Sequence, residues 1–314
     1  MRGHANKWFP LRAKVGVVAG FARVCYNTLF TIRKWVFRPM PESLPLEGVP
    51  EVSVVITSYN AGAVLSEAID SVLRQRGVSV EVIVVDDCSR EDPFSLLPAS
   101  LQQDARLRCV RLDKNSGGPA RPRNVGVSEA RGEFVAFLDC DDIWCQGKLA
   151  HDLFYLREAG ADVVSSRKVR FIGTPPLTET VYGQEVRARP VSFLTLLLKN
   201  RLNLSATTLR TSLARQMPFH EPRDFAAVED YHVWLRLARR GARILLSDAK
   251  TLNYRLAPGS ISSGKHRMVK KVMRVQRDVF PVPTLFPLFV PLLFVSYVTL
   301  SFLDRLRGPR LVPR

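Results

Sequence analysis

The sequence predicts an α/β fold: a mainly parallel, Rossmann-like sheet with helices on both faces. Two observations carry this. Short β-branched apolar runs alternate with segments of helical apolar spacing between Glu51 and Trp144. Each run also breaks off in a polar turn, and the carboxyl ends of parallel strands are where such sheets gather their ligands.

The elements follow in order. Residues 41–50 (PESLPLEGVP) form a Pro-rich linker, so a domain begins near Glu51. Val52 to Thr57 is a first buried strand, and Ser58 to Gly62 is the turn after it, with Tyr59 and Asn60 at its tip. Ala63 to Arg76 carries helical spacing at Val64, Leu65, Ala68, Ile69, Val72 and Leu73. Val80 to Val85 is a second strand, ended by Asp86, Asp87, Cys88 and Ser89. A weaker helix precedes a third strand, Leu107 to Leu112, and Asn115 to Pro119 is a Gly-rich loop containing Gly117 and Gly118. Ala120 to Ala130 reads as a helix and Phe134 to Leu138 as a fourth strand.

That fourth strand ends in three carboxylates within four residues: Asp139, Asp141 and Asp142. Carboxylates so close repel one another, and burying them uncompensated costs several kcal/mol. A hard cation relieves the repulsion. Oxygen ligands at i and i+2 suit Mg²⁺ or Mn²⁺, which often take phosphates as their remaining ligands. An isolated D-x-D also occurs as a solvated turn. Four polar turns that all fall at strand carboxyl ends favour a shared ligand site instead. No G-x-G-x-x-G follows the first strand and no G-x₄-G-K-[ST] occurs, so the dinucleotide and P-loop readings fail. Further on, Glu229 and Asp230 open a helix, Tyr231 to Arg239, whose apolar side is Val233, Trp234, Leu237 and Ala238. Carboxylates are favourable at a helix N-terminus in any case.

The net charge of +17 lies at the ends. Residues 1–40 carry eight Lys or Arg and no Asp or Glu, and residues 264–314 carry ten against Asp278 and Asp304. Basic, apolar arms around a nearly neutral middle point to an anionic membrane surface. With no nucleic-acid motif present, nucleic acid is not the expected partner. Arg12, Lys14 and Arg23 against Val15, Val17, Val18, Phe21, Val24 and Leu29 suggest an interfacial helix in the N-terminal arm. Thr284 to Leu303 is twenty residues without a charge, about the length that spans a bilayer. Pro287 and Pro291 interrupt it and basic clusters flank both sides, which argues against a simple span and leaves both a span and a re-entrant or interfacial hairpin open. The expected layout is an arm at 1–40, a linker at 41–50, a catalytic domain at 51–263 with halves at 51–145 and 146–263, and a membrane-associated segment at 264–314. Five scattered cysteines form no paired framework and fit a reducing compartment.

The segments VSVVITSYNAG, VEVIVVDDCSRED, NSGGPARPRNVGVSEARGEFVAFLDCDDIW and VEDYHVWLRLARRG resemble, in order, the inverting GT-A glycosyltransferases of family 2, which use nucleotide-sugars. With YRLAPGSISSGKHRM behind them, they look like the enzymes of bacterial surface polysaccharides. The resemblance runs from about Glu51 to Lys265. It implies that Thr57 and Tyr59 frame the nucleotide base, with Asn60 and Gly118 in the same loops. Asp87 would accept the uracil imide N–H, with Asp86 supporting its loop. Arg123 would face the pyrophosphate, Asp139 would contact the ribose or the metal shell, and Asp141 would ligate Mg²⁺ or Mn²⁺. Asp142 is expected to cap the following helix. Asp230 would be the general base, with Glu229 beside it and His232 the weaker candidate.

No Q-x-x-R-W motif accompanies these segments, which favours addition of a single sugar. The expected donor is a UDP-hexose. The expected acceptor is a polyprenyl-diphosphate-linked saccharide at the cytoplasmic face of the inner membrane. Trp234 is a candidate for the acceptor pocket, and Lys265, Arg267, Lys270 and Lys271 for lipid headgroups or the acceptor diphosphate. Two alternatives stay open: a polyprenyl-phosphate glycosyl synthase, and a non-catalytic nucleotide-sugar-binding subunit.

Overall fold

The structure is a computed structural model and describes residues 48–177, 179, 186–256, 265–280 and 283–306. The N-terminal arm expected to be an interfacial helix lies outside them. The described elements all belong to one compact unit, Arg38–Arg314.

The first four strands form as the apolar runs demand. They are β1 (Val52–Ser58), β2 (Val80–Asp86), β3 (Leu107–Arg111) and β4 (Phe134–Asp139). They lie in the order β3-β2-β1-β4, all parallel. Every residue of β2, and every residue of β1 except Thr57, is buried, so both sheet faces are covered. The connecting helices are α1 (Val64–Leu73), α2 (Ala99–Gln102) and α3 (Ala120–Glu129). Helix α3 seats closely on β1 because Gly126 has no side chain. A Cβ there would lie 2.3 Å from Val55 Cγ1.

Beyond β4 the sheet becomes mixed. The later elements are β5 (Ile143–Trp144), α4 (Lys148–Arg157), β6 (Val163–Phe171), β7 (Ala188–Pro190), α5 (Phe193–Leu198), β8 (Thr207–Arg210), α6 (Thr211–Gln216), α7 (Glu229–Arg239), β9 (Ile244–Arg255), α8 (Lys265–Val279) and α9 (Phe286–Leu306). Strand β8 enters antiparallel between β4 and β6, and β6 pairs in parallel with β9. This insertion brings residues near 205 to the end of β4. The Ser205 carbonyl accepts Trp144 Nε1–H at 2.6 Å, and Ser205 Oγ accepts the Asp139 N–H at 3.2 Å.

Helix α7 is amphipathic, and its apolar side enters the core. Trp234 is fully buried there. Helix α8 packs on the same core through Val272, Val275 and Val279. Helix α9 is continuous, with Pro291 inside it. Among the described residues, no helix is long and apolar enough to cross a membrane.

Candidate active site

Four loops meet at the carboxyl ends of β1, β2 and β4 and the N-terminus of α7. Three non-glycine residues with positive φ fall in them: Asn60 (51°), Cys88 (62°) and Ala227 (71°). Each such residue costs roughly 1–3 kcal/mol, and strain of this kind gathers at functional sites.

The loops after β1 and β2 are laced together. The Asn60 N–H donates to Ser89 Oγ at 2.8 Å, and Asn60 Oδ1 accepts the Arg90 N–H at 3.0 Å. Tyr59 stands beside them, 53% exposed, with its ring open to a ligand. Thr57 is half-buried at the end of β1, with the β2 and β4 ends on either side. Asp86 is fully buried and accepts both the N–H and the O–H of Ser89. Asp87 accepts the Ser116 N–H and O–H at 2.9 Å each, and its carbonyl accepts Asn115 Nδ2–H at 3.0 Å. Ser116 in turn donates to the Gly118 carbonyl at 2.8 Å. Asp87 therefore shapes the Gly-rich loop, a role not evident from its place after β2. Ser116 sits inside the motif Asn115 to Pro119 but carried no signal of its own.

The end of β4 and the start of α7 are joined by one buried guanidinium. Arg123, on α3 and 5% exposed, donates to Glu229 Oε1 at 2.5 Å and to Asp139 Oδ1 at 2.9 Å. Burial alone would lower its pKa, but the charges of Asp139 and Glu229 outweigh that and hold it above the usual range. Arg123 is thus committed to two carboxylates instead of standing free toward a pyrophosphate.

Asp230 is half-buried beside this bridge. Its Oδ1 accepts the Tyr231 N–H at 2.6 Å, and its Oδ2 meets Asn200 Nδ2 at 3.4 Å. Burial, and then the neighbouring Glu229 charge, push its pKa up to about 7. A carboxyl so tuned can exchange a proton at neutral pH. His232 is engaged elsewhere, with Nε2 2.8 Å from Asp278 on α8.

Asp139 and Asp141 flank Cys140 at the strand end, and both are partly accessible. Burial and the Asp139 charge raise the Asp141 pKa. Asp142 does not cap a helix. It is fully buried, its Oδ1 accepts the Arg255 N–H at 3.1 Å, and the residue before α4 is Gly147. Burial and the Asp139 charge push Asp142 up to about 8. Among the described residues, its Oδ2 and Glu229 Oε2 are buried without a partner. Carboxylates that raise one another's pKa in this way suit a hard cation. Among the described residues, no three His, Cys, Asp or Glu side chains are grouped to hold a metal ion. Asp139 and Asp141, side by side at the strand end, would offer a cation one or two carboxylates.

Lys168 escaped sequence reasoning. It projects from β6 with Nζ 3.7 Å from the Tyr254 ring centroid, and it feels the charges of Asp142, Asp139 and Asp230. Burial nevertheless lowers its pKa. Nothing in its local sequence marks it, because β6 reaches the site only through the mixed half of the sheet. The same holds for Asn200.

Of the tentative acceptor residues, Trp234 packs in the core and does not line a cleft. Lys271 donates to the Ala226 carbonyl at 2.6 Å, bracing the α7 loop, while Lys270 is exposed. Lys265 and Arg267 lie in the first turn of α8, and their side chains fall outside the described residues.

The family model for glycosyl transferase family 2 matches residues 53–216, a stretch that includes the loops after β1, β2 and β4 and both Arg123 and Asp139, while Glu229 and Asp230 lie beyond it. This chain belongs to glycosyltransferase family 2. It is 30% identical over 231 residues to TuaG of Bacillus subtilis, named for teichuronic acid biosynthesis, covering 73% of this chain and 88% of that protein. It is 29% identical to WfgD of Escherichia coli, named as a UDP-Glc:α-D-GlcNAc-diphosphoundecaprenol β-1,3-glucosyltransferase, covering 74% of this chain and 87% of that protein. Among solved structures it resembles residues 1–349 of TarS of S. aureus in complex with UDP-GlcNAc, with a TM-score of 0.57 and 26% identity over 73% of this chain and 66% of that one. The chain is a glycosyltransferase of GT-A fold, similar to enzymes of bacterial surface polysaccharides.

Proposed function

We propose that this glycosyltransferase moves one sugar, with inversion, from a UDP-hexose to a polyprenyl-diphosphate-linked saccharide. It does so on the cytoplasmic face of the plasma membrane, as a peripheral or monotopic protein. The observation that carries the reaction is Asp230: a carboxyl at a helix N-terminus, pushed up to about 7, beside the bridge from Arg123 to Asp139. Asp230 takes the acceptor hydroxyl's proton as that oxygen attacks the anomeric carbon from the face opposite the leaving UDP. Glu229, fixed by Arg123, holds Asp230 in place and keeps its proton affinity high. Tyr59 and Thr57 frame the base, and Asp87 accepts an imide N–H while it anchors the Gly118 loop.

Asp141 and Asp139 would hold Mg²⁺ or Mn²⁺, which neutralises the diphosphate leaving group when bound. Support for the lipid-linked acceptor comes from the acceptor named for WfgD and from the basic ends of the chain.

The test is UDP release from a panel of UDP-sugars with membrane lipid extract as acceptor. It is run with Mg²⁺, with Mn²⁺ and with EDTA, on wild type and on Asp230→Asn. The expected result is metal-dependent turnover of one donor that the variant lacks. Unchanged turnover in Asp230→Asn would remove the base assignment.

A further inference from the structure

Helix α9 is apolar on two faces, and the described residues cover one of them. Phe286 and Leu293 are buried against the core, with Val290 and Tyr297 partly so. Phe286 meets Phe280 edge to face, with ring centroids 5.4 Å apart. On the other face, Leu288 is 75% exposed, Leu292 61%, Val295 59% and Phe302 59%. Their spacing of four, three and seven residues puts them on one stripe of the helix. A helix packed on one face alone normally turns charge to solvent on the other, yet no charged residue occurs from Thr284 to Leu303. An uncovered apolar stripe of this length marks an interaction surface.

We infer that this stripe is the element that enters the lipid surface, with α9 lying along the bilayer and its opposite face on the catalytic domain. Charge decides the occupant. The neighbouring α8 exposes Lys270 and Arg277, and the whole chain carries +17. Two copies of so basic a chain repel one another, whereas an anionic bilayer attracts them. The packing also argues for a helix lying flat. Lys199 Nζ donates to the Leu300 carbonyl at 3.1 Å, which ties the second half of α9 to the end of α5. The next residue, Asn200, reaches Asp230. Two consecutive residues therefore connect the lipid-facing helix to the proposed base. The inference rests on the proposed lipid-linked acceptor for its meaning: the saccharide of such an acceptor meets the base close to the surface that holds its lipid.

The experiment is flotation of the full chain with phosphatidylcholine vesicles, with and without phosphatidylglycerol. Wild type is compared with the double variant Leu292→Glu/Val295→Glu, its folding checked by thermal melting and its UDP affinity by calorimetry. The expected result is anionic-lipid binding that falls at least about tenfold in the variant, with UDP affinity unchanged. Equal flotation of both proteins overturns the assignment of α9 and leaves membrane binding to another segment. A wild-type dimer that the variant dissolves, with vesicle binding absent or unaltered, overturns it in favour of a second copy. Absence of both vesicle binding and dimer overturns it together with the membrane part of the proposed function. A vesicle effect as expected, in a protein that binds no UDP, leaves this inference standing and defeats the UDP-sugar donor of the proposed function.

Discussion

The two halves of the site are built on opposite principles. Around β1 and β2 the polar groups answer one another: Asp86 with Ser89, Asp87 with Ser116, Asn60 with Ser89 and Arg90. At the end of β4 and the start of α7 they do not. Asp139, Glu229 and Asp230 share the one guanidinium of Arg123, Asp141 and Asp142 add to the Asp139 charge, and among the described residues Asp142 Oδ2 and Glu229 Oε2 are buried without partners. The first half is largely finished before a ligand arrives, although Ser58 Oγ at the end of β1 is buried without a partner among the described residues. The second buries its acids and keeps an excess of negative charge, and the two together raise the pKa of Asp141, Asp142 and Asp230. Binding geometry can be prebuilt at little cost, but proton transfer needs a group held away from its ordinary pKa.

The sharpest way to break the contrast is to neutralise Asp230. Asp230→Asn should lower kcat by about 10²–10⁴-fold with UDP affinity kept, read by UDP release and calorimetry. The wild-type kcat/KM should fall about tenfold per pH unit below about 7 and level off above it, because the base must be ionised. Stability should move the other way. A folded-state pKa raised above the ordinary 3.8 lets the native state hold a proton that the unfolded chain gives up. The resulting stabilisation is present at low pH and fades as pH rises from about 4 through 7. Asp230→Asn should lessen that fade in thermal melts, the remainder coming from Asp141 and Asp142, whose pKa values are also raised. A variant as pH-dependent as wild type would show that Asp230 is not the group responsible.

Arg123→Met attacks the shared counter-ion. It leaves Glu229 buried and Asp139 unpaired, and should cost about 3–5 kcal/mol in urea unfolding. The added repulsion should also move the acid limb of the activity profile upward in pH. A variant of wild-type stability would show that the bridge is incidental.

Gly126→Ala tests the scaffold under both halves. The added methyl meets Val55 and should cost about 1–3 kcal/mol. Adding Val55→Ala should recover part of that loss, because the clash is with that one side chain. If the double variant is no better than the sum of the single ones, the close approach of α3 to β1 is not the cause.

The first half of the site was also the more legible one. Its strands are short apolar runs, and its ligand groups follow those runs directly in sequence, so Tyr59 and Asp87 are placed by counting from strand ends. The second half depends on β8 entering antiparallel beside β4 and on β6 joining through it. That topology brings in Lys168, Asn200 and Ser205 from segments with no motif. Arg123 was found, but its direction was not. Nothing in the run ARPRN tells whether the guanidinium turns outward to phosphate or inward to Glu229, over a hundred residues away. Asp142 is expected to cap a helix and Trp234 is a candidate for the acceptor pocket, but Asp142 is buried with its Oδ1 on the Arg255 N–H and Trp234 packs in the core.

The smallest change separates binding from chemistry. Ser116→Ala removes one of the two hydrogen bonds that Asp87 accepts and also frees the Gly118 carbonyl. The Ser116 N–H still reaches Asp87, so the loop stays in place with one support fewer. The expected cost is about 0.5–1.5 kcal/mol, felt as a KM for the UDP-sugar raised a few-fold. Since Ser116 touches neither Asp230 nor Arg123, kcat and its pH profile should hold. A fall in kcat at unchanged KM would mean that the self-satisfied half takes part in the chemical step, and the division of labour between the halves would be wrong.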